Sequence, residues 1–482
     1  MASVRELERI AIEELAVPGY TLMSRAAAAA LRDAHQRFPD AKRWQIICGA
    51  GNNGGDGYIL ARLAAQDGVL VSTVTLVDPD TLRGDAATAY GDFTAEGGIV
   101  TPWQGELDNE AELLIDALLG SGLARELDGD FAAAVAAINA HPAPVHALDV
   151  ATGIDADSGA VLGSAVVAEM TTTFVGLKPG LFLGDGPNHC GEISFDDLGI
   201  PSECHEKLES AFQRIDDQFL IERLPKRPRG AHKGDFGHVL VVGGGPSMPG
   251  AARLCGAAAL RAGAGRVSIA THPDHADTLA ATRPELMCHG VEGPEQLALL
   301  LANVDVVAFG PGLGQSDWAQ RLYSLLQSDS RPAVWDADAL NMLSKAPKSV
   351  ENRIITPHPG EAATLLAATS AAVQADRSSA VADMRTRYGG VTVLKGAGTL
   401  IASGEPTPTI STAGNPGMAA AGMGDVLTGV IAALLAQGLS LIDAAKIGVE
   451  VHARAGDLAA LDGERGMLAT DLLDSIRCVV NP

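Results

Sequence analysis

Short apolar runs alternate along the whole chain with Ala- and Leu-rich stretches whose apolar positions repeat at helical spacing. Such runs predict buried strands, and their alternation with helices predicts parallel sheets covered by helices. In the first half the predicted strands are residues 44–48, 70–77, 113–117, 145–150 and 171–175. In the second half they are residues 238–242, 266–270, 304–309, 333–335, 353–356 and 391–395. The pattern therefore predicts an α/β fold throughout.

A basic, proline-rich stretch interrupts this pattern near the middle of the chain. Residues 223–232 read Arg-Leu-Pro-Lys-Arg-Pro-Arg-Gly-Ala-His and lack apolar periodicity, which is typical of an inter-domain connection. Its positive charge also suits an arm that faces phosphate, and the sequence leaves this alternative open. Because 482 residues exceed one ordinary core, we predict a domain at 1–215, a linker at 216–232 and a second domain at 233–482.

Composition and charge narrow the possible partners. The net charge of −24 lacks the basic footprint of a nucleic-acid-binding protein, so local groups must hold any anionic ligand. The six cysteines are scattered without a C-x-x-C pair, as expected for reduced thiols of a cytosolic protein. The N-terminus carries charges where a signal peptide needs an apolar core, and no apolar run reaches the ~18 residues of a spanning helix. We therefore expect a cytoplasmic protein without nucleic-acid or membrane partners.

A glycine-dense segment follows the first predicted strand. Residues 49–57 read Gly-Ala-Gly-Asn-Asn-Gly-Gly-Asp-Gly, and a helical pattern runs from Tyr58 through Ala65. Such a turn lets backbone N–H groups approach a ligand, and a helix N-terminus favours an anion. A tight strand-to-helix turn is the alternative. We favour ligand binding, because turn geometry does not explain two adjacent Asn and an Asp among these glycines.

Polar residues also stand where later strands of the first half end. Asp116 and Asp149 each close an apolar run, and ligands of open parallel sheets bind outside the carboxyl ends of the strands. Each aspartate taken singly is equally well a helix cap. Together with Asn53 and Thr152 they supply hard oxygen donors that suit K⁺ or Mg²⁺ better than zinc. Lys178 suits phosphate binding or proton transfer, with a solvated loop lysine as the open alternative.

The strongest motif lies in the second half. Residues 415–429 read Asn-Pro-Gly-Met-Ala-Ala-Ala-Gly-Met-Gly-Asp-Val-Leu-Thr-Gly and precede an apolar helix at 430–435. Small residues and a helix N-terminus stabilise a phosphoryl group, and Asp425 stands beside it as a candidate base. A helix cap is the alternative for Asp425, but a cap does not require the flanking glycines.

Two further loops of the second half carry candidate ligand contacts. Lys395 and the small residues after it suit adenylate phosphate binding, with a hairpin turn as the alternative. His358 lies between two prolines, which ordinarily indicates capping or packing, although the rigid frame favours a ligand contact. The chain contains no G-x-x-x-x-G-K-[ST] motif, which excludes a P-loop.

These motifs together resemble a known pair of enzyme families. The second half resembles the ribokinase-like fold, and within it the ADP-dependent NAD(P)H-hydrate dehydratases, through residues 233–237, 310–314, 356–361, 395–399 and 415–425. The first half resembles the NAD(P)H-hydrate epimerases through residues 52–57, 116–123, 149–155 and 178–180. Fused in this order, they resemble the bifunctional NAD(P)H-hydrate repair enzymes. The resemblance implies a Rossmann-like three-layer α/β/α sheet followed by a ribokinase-like α/β domain.

The resemblance implies that the first domain interconverts the R and S epimers of hydrated NADH or NADPH. It places K⁺ on Asn53, Asp116 and Thr152, and catalysis on Asp149 and Lys178. The implied substrate contacts are Asn52, Asn53, Gly54, Gly55, Asp56, Gly120, Ser121, Gly122, Leu123 and Asp149. Two positions depart from the family pattern: Ser24 stands where the family usually has Glu, and Thr152 stands where it usually has Ser.

For the second domain the resemblance implies dehydration of the S epimer while ADP is converted to AMP and phosphate. Asp425 activates the hydrate hydroxyl, and Mg²⁺ offsets the phosphate charge. The implied nucleotide contacts are Lys395, Gly396, Ala397, Gly398, Thr399 and Gly424, and the implied hydrate contacts are Ala251, Gly314, His358 and Asp425. The expected partners are these small molecules and further copies of the chain in a homo-oligomer.

Two alternatives stay open at this level. The second domain also fits an ATP-dependent vitamin or sugar kinase, because the Gly-x-Gly-Asp site is common to both. The first domain also fits a non-catalytic binding or oligomerisation module.

Overall fold

A computed structural model of the chain describes residues 2–201, 203–204, 207–208 and 210–482. The chain divides into two compact units, Met1–Ala211 and Phe212–Pro482. Within the described residues, no helix combines the length and the apolar character that crossing a membrane requires.

The apolar runs of the first half form a parallel seven-stranded sheet with the order β3-β2-β1-β4-β5-β6-β7. The strands are β1 Arg43–Cys48, β2 Leu70–Thr75, β3 Val100–Pro102, β4 Leu113–Ala117, β5 Val145–Leu148, β6 Met170–Phe174 and β7 Glu192–Asp196. The helices are Ala2–Arg9 with its π-helical continuation Ile10–Glu14, Gly19–Arg37, Asn52–Gln66, Gly84–Ala95, Gly129–Ala140 and Gly186–His189.

Alternate side chains of the central strands enter two different cores. In β4, Leu113 and Ile115 pack into a core shared with the helices Gly19–Arg37 and Asn52–Gln66. Leu114 instead packs into a core shared with the helix Gly129–Ala140. Because both faces of the sheet are covered, the unit has the three layers expected from the sequence.

The second unit contains a ten-stranded sheet with the order β11-β10-β9-β12-β13-β14-β15-β16-β17-β8. Its strands are β8 Gln213–Arg214, β9 His238–Val242, β10 Arg266–Thr271, β11 Met287–Gly290, β12 Val306–Phe309, β13 Ala333–Trp335, β14 Arg353–Ile355, β15 Val391–Leu394, β16 Thr399–Ala402 and β17 Thr409–Ser411. The pairs β15–β16 and β16–β17 are antiparallel, and the other neighbouring pairs are parallel.

Helices cover this second sheet. They are Asp217–Arg223, Pro249–Arg261, Ala276–Thr282, Pro294–Leu301, Asp317–Leu326, Asp338–Lys345, Pro359–Leu366, Ser370–Ala375, Arg377–Tyr388, Met423–Ala436, Leu441–Ala459 and Leu472–Val479. The helix Met423–Ala436 is apolar and almost wholly buried. It packs so closely against Pro249–Arg261 that a Cβ on Gly429 would lie 2.1 Å from the Cys255 carbonyl oxygen. Glycine is therefore required at this crossing.

The eleven predicted strands are all present, with ends that differ by at most two residues. The sequence pattern missed β3, β7, β8, β11, β16 and β17. Of these, β3, β7, β8 and β11 lie at or next to sheet edges with many exposed or half-buried positions, so they lack a continuous apolar run. The buried hairpin of β16 and β17 was hidden by its shortness and by its polar residues.

The segment expected as a linker starts inside the second unit. Helix Asp217–Arg223 buries Leu220 completely in that unit's core. Farther along, the Arg227 guanidinium stacks 3.6 Å from the centre of the Phe236 ring and donates to the Gly263 carbonyl oxygen. Although the segment is basic, apolar and stacking contacts hold it to the second unit.

The glycine-dense segment also differs from the expected turn, because its helix begins at Asn52 and not at Tyr58. A Cβ on Gly54 would lie 2.2 Å from the Gly49 carbonyl oxygen, and one on Gly57 would lie 2.6 Å from Ala117 Cβ. The glycines thus let the first turns of the helix pack directly on the ends of β1 and β4.

We expect Gly54→Ala to destabilise the first unit despite the higher helix propensity of alanine. Overpacking of this kind costs about 1–3 kcal/mol, because the added methyl meets backbone atoms that cannot rotate away. Gly91→Ala is the matched control, since Gly91 also lies inside a helix but has nothing within 4 Å of its Cβ position. Urea unfolding should show Gly91→Ala more stable by about 0.5–1 kcal/mol. Equal stabilisation by Gly54→Ala would contradict the close packing.

Candidate functional sites

A cavity of about 740 Å³ opens at the carboxyl ends of β1, β4 and β5 in the first unit. It gathers eight of the residues predicted to contact the substrate: Asn52, Asn53, Asp56, Gly120, Ser121, Gly122, Leu123 and Asp149. Gly54 and Gly55 are not part of its lining, since they pack against Gly49 and Met23. A cavity of this size accommodates a ligand as large as a nucleotide.

Asp149 and Lys178 form a salt bridge beside this cavity. Lys178 is 1% exposed, and its Nζ donates to Thr173 Oγ1 at 2.9 Å and to the Phe174 carbonyl oxygen at 2.7 Å. This burial excludes the alternative of a solvated loop lysine. Burial by itself would raise the pKa of Asp149, but the Lys178 charge and the Ser121 amide lower it below its usual value.

The residues proposed for a cation lie next to this pair. Asp116 is fully buried and accepts from Thr152 Oγ1 at 2.7 Å and from the Thr152 amide at 2.8 Å. Among the described residues no Lys or Arg pairs with Asp116, and burial raises its pKa to about 6 against these hydrogen bonds. Asn53 satisfies its neighbours when its amide oxygen accepts from the Gly120 amide at 3.3 Å. A buried carboxylate among neutral oxygens is a setting that a monovalent cation would stabilise.

A second charged cluster lies at the carboxyl ends of β13 and β15 in the other unit. Asp336 directly follows β13, and its Oδ1 lies 2.8 Å from the Nζ of Lys395, which directly follows β15. Lys395 Nζ also lies 3.7 Å from Glu361 Oε2, and Thr428 Oγ1 donates to Asp336 Oδ2 at 2.9 Å. The sequence motifs include Lys395 and Thr428 but not Asp336, because a single Asp after a three-residue strand carries no distinctive spacing.

Electrostatic coupling dominates this cluster. Burial opposes the charge on Lys395, yet Asp336 and Glu361 raise the lysine's pKa above its ordinary value. The same lysine lowers the pKa of Asp336, although burial alone would raise it. Asp336 and Lys395 are therefore both charged, and they set the field in which their neighbours titrate.

Asp425 lies in the first turn of the helix Met423–Ala436, two residues after its first residue. Burial and then the Asp336 charge raise the pKa of Asp425 to about 7. The N-cap position is Gly422, with φ +91° and no side chain to cap the helix. Asp425 is consequently not the N-cap residue.

The loop after β15 is held from one side by a buried arginine. Arg377 Nη2 donates to the carbonyl oxygens of Leu394 and Lys395 at 3.2 Å and of Gly398 at 3.3 Å. Gly396 and Gly398 have φ values of +133° and +61°, which other residues rarely adopt. Thr399 already belongs to β16. The loop carbonyls thus face Arg377, and Gly424 lies across from Lys395, whose Nζ would be 3.2 Å from a Cβ there.

The other residues predicted to contact the hydrate are His358, Gly314 and Ala251. They lie near this cluster and are linked to it through neighbouring residues. His358 caps the helix Pro359–Leu366, with Nδ1 accepting from the Gly360 amide at 3.0 Å, so its ordinary role as a cap is present. The His358 side chain is exposed, and its Nε2 lies 3.5 Å from Glu361 Oε1. Gly314 donates its amide to Asp338 Oδ2 at 2.8 Å, and Asp338 is close enough to raise the pKa of Asp425. Ala251 lies against Gly312 of the same loop.

The two units define an α/β enzyme with a separate site at the carboxyl ends of each sheet. Residues 239–477 match the family described as NAD(P)H-hydrate dehydratase, and residues 19–180 match the family described as YjeF-related protein N-terminus. The chain is 45% identical over 480 residues to the bifunctional NAD(P)H-hydrate repair enzyme of Coxiella burnetii, covering 99% of this chain and 98% of that one. The chain therefore belongs to the family of bifunctional NAD(P)H-hydrate repair enzymes.

Other relatives agree with this placement. The enzyme of the same name from Escherichia coli is 42% identical over 481 residues, covering 99% of this chain and 93% of that one. The crystal structure of the Bacillus subtilis ADP/ATP-dependent NAD(P)H-hydrate dehydratase, co-crystallised with ATP and Mg²⁺, matches with a TM-score of 0.51 and 26% identity, over 56% of this chain and 98% of that one. A ribokinase-like superfamily protein from Enterococcus faecalis matches with a TM-score of 0.52 and 28% identity, over 57% and 96%.

These comparisons confirm the expected ribokinase-like fold of the second half and the bifunctional repair function. The chain is an enzyme with an epimerase part and a dehydratase part, and the kinase alternative is the weaker interpretation.

We expect Arg377→Ala to loosen the loop at residues 395–399 and to weaken ATP or ADP binding by roughly tenfold, since hydrogen bonds to a charged group contribute about 1.5–3 kcal/mol. Arg353→Ala is the matched control, because Arg353 is equally buried in the same unit but donates to the Lys348 and Tyr388 carbonyl oxygens instead. Calorimetric titration of both folded variants measures the difference. Equal losses of affinity would mean that Arg377 supports only the general fold.

Proposed function

We propose that residues 212–482 dehydrate the S epimer of hydrated NAD(P)H at the cluster around Lys395, and that residues 1–211 interconvert the epimers in the 740 Å³ cavity. The observation that carries the proposal is the position of Asp425. Asp425 has a raised pKa, lies at a glycine-flanked helix N-terminus and neighbours the Lys395–Asp336 pair. Such a carboxyl is suited to accept a proton near neutral pH beside a bound phosphate.

The nucleotide is assigned to the loop at residues 395–399 together with Gly424. The Bacillus subtilis relative is described as ADP/ATP-dependent, and we propose ADP as the co-substrate here. Lys395 supplies a fixed positive charge, and the uncapped first turn of the helix Met423–Ala436 supplies backbone N–H groups. These groups offset the phosphate charge without a P-loop.

We assign Mg²⁺ to the same cluster together with the nucleotide phosphates, because no group of three or more His, Cys, Asp or Glu side chains in the described part of the chain could hold a metal ion alone. The acids Asp336, Glu361 and Asp425 outnumber the single ammonium of Lys395, so the charge balance tolerates a divalent cation bound with the nucleotide. When bound, the ion would neutralise phosphate charge as the reaction proceeds. Any carboxylate ligand would come from Asp336 or Glu361, because Asp425 is the proposed base.

The proposed chemistry at this site proceeds through a phosphate ester. Asp425 takes the proton of the hydrate hydroxyl, whose oxygen attacks the β-phosphorus of ADP while AMP leaves. The esterified oxygen then departs as phosphate, a much better leaving group than hydroxide. The electron pair of the neighbouring C–H bond forms the double bond, and the proton of that bond passes to solvent water. Water removal is thereby coupled to nucleotide cleavage.

In the first unit, Asp149 is the proposed base and Lys178 the group that keeps it ionised. The Ser121 amide donates to Asp149 Oδ2 at 2.9 Å. Gly120 is equally close, since a Cβ there would lie 2.8 Å from the same oxygen. K⁺ is assigned to Asn53, Asp116 and Thr152, because Asp116 is buried without a cationic partner among the described residues. Thr152 keeps the hydroxyl oxygen that the family's usual Ser provides.

This placement favours a catalytic first unit over a non-catalytic module. A module that serves only binding or assembly has no need of a buried lysine paired with an aspartate at a cavity wall. All six cysteines are free, which supports the reducing cytoplasm as the location. The homo-oligomer stays a prediction.

We expect Asp425→Ala to lower the rate of dehydration by about 10²–10⁴-fold, because general base catalysis contributes that much, while ADP binding changes little. Asp443→Ala is the matched control, since Asp443 occupies the same first-turn position of the helix Leu441–Ala459. Release of AMP and phosphate from ADP with hydrated NADH measures the rate. Turnover of Asp425→Ala within about tenfold of the unaltered chain, only ~1.4 kcal/mol in the barrier, would rule out the base role.

The pH profile checks the same assignment independently. A base must be ionised, so kcat/KM for dehydration should fall tenfold per pH unit below the Asp425 pKa of about 7. If kcat/KM instead falls only near pH 4, the ordinary pKa of aspartate, then burial and the Asp336 charge do not raise the pKa of the catalytic group.

We expect Asp149→Asn to abolish epimerisation and to destabilise the first unit, because it leaves the Lys178 ammonium buried without its partner. The double variant Asp149→Asn/Lys178→Met should regain stability without regaining epimerisation. Chromatographic separation of the epimers and urea unfolding measure the two properties. Epimerisation by the stable double variant would show that the pair is structural.

A further inference from the structure

The N-terminal helix Ala2–Arg9 contributes a carboxyl group to the cavity of the first unit. Val4 and Leu7 are buried, and a Cβ on Gly176 would lie 3.3 Å from Val4 and 3.7 Å from Leu7. This packing holds one face of the helix on the segment after β6. The neighbouring face, at the helical spacing of Arg5, Glu8 and Ile12, lines the cavity.

Glu8 differs from the other acids of this segment. Glu6, Glu13 and Glu14 all pair with Arg9 on the solvent side. Among the described residues no such ion pair holds Glu8, which lines the cavity together with Arg5, Asp56 and Asp149. Its carboxyl therefore points to the ligand space and not to a structural partner.

The charged groups around Glu8 act in opposite directions. Burial and then the Asp149 charge raise the pKa of Glu8, while Lys178 and Arg5 lower it less. Lys178 lowers the pKa of Asp149, so the pKa values of the two carboxyl groups of one cavity are shifted in opposite directions. Pairs of titratable groups separated in this way are typical of acid–base catalysis.

We propose that Glu8 is the second acid–base group of the epimerase site, acting together with Asp149. This inference rests on the proposed function of the first unit. Inversion at one carbon needs two groups, because the departing and the entering oxygen lie on opposite faces of the ring. A single carboxyl does not reach both.

Hydration of an enamine places the hydroxyl on the carbon bonded to nitrogen, so the nitrogen lone pair forms C=N⁺ as the C–O bond breaks. The leaving oxygen takes a proton from Glu8 and departs as water. A water molecule then adds to the other face, the C=N electrons return to nitrogen, and the released proton goes to Asp149. The reverse reaction exchanges the two roles.

Asp56 also lines the cavity, and its pKa is raised well above the ordinary value, first by burial and then by Asp149 and Glu8. It is nearly inaccessible to water, with 9% exposure, whereas Glu8 is half-buried. A proton donor must be recharged from solvent after each turnover. Glu8 meets this requirement better than Asp56.

The test uses the full chain, one separated epimer and no nucleotide, so that dehydration is silent. Glu8→Gln should lower kcat for epimerisation by about 10²-fold or more with little change in KM. It should also remove the fall of the rate at high pH that a proton donor produces as it ionises. Glu8→Asp should keep the high-pH limb and stay within about tenfold of the unaltered chain.

Glu6→Gln is the matched control, because Glu6 lies on the same helix but pairs with Arg9 outside the cavity. Dehydration of the S epimer with ADP in each variant reports that the second unit is folded, and urea unfolding reports that the first unit is folded. If the unaltered chain epimerises and Glu8→Gln matches it with the high-pH limb intact, the role of Glu8 is wrong. If the unaltered chain does not epimerise, the proposed function of the first unit is wrong and the role of Glu8 falls with it.

Discussion

Each unit depends on one buried ammonium–carboxylate pair at the carboxyl ends of its parallel strands. Lys178 with Asp149 and Lys395 with Asp336 are taken out of water, where an unpaired charge would cost several kcal/mol or shift its protonation state. In both units the lysine keeps one carboxylate ionised, and a further acid nearby then titrates at a raised pKa. The same electrostatic arrangement is thus present at both candidate sites.

Glycine residues let the backbone of neighbouring helices approach these charged pairs closely. The helix Asn52–Gln66 reaches the ends of β1 and β4 because Gly54 and Gly57 add no side chain at the contact. In the second unit Gly422 and Gly424 leave the N-terminus of the helix Met423–Ala436 open beside Lys395. An alanine at Gly54 would meet the Gly49 carbonyl oxygen, and an alanine at Gly424 would place its Cβ 3.2 Å from Lys395 Nζ.

Much of this arrangement was predictable from individual residues. Asp116, Asp149, Lys395 and Asp425 stand at the ends of apolar runs or within unusual glycine motifs, and the topology of parallel sheets brings such ends together. Asp336 and Glu8 were not predictable in this way. Each is an acid in an ordinary strand end or helix, and only a long-range contact gives it a role.

The sequence by itself determined the alternation of strands and helices, the loops of the candidate sites and the family, because these depend on local periodicity and short motifs. Tertiary structure decided which side chains are charged and how the ambiguous ones are used. It made Lys178 a buried partner, His358 a helix cap and the basic segment after Asp217 part of the second unit. The physical reason is that burial and pairing depend on neighbours distant in the chain, which no local pattern records.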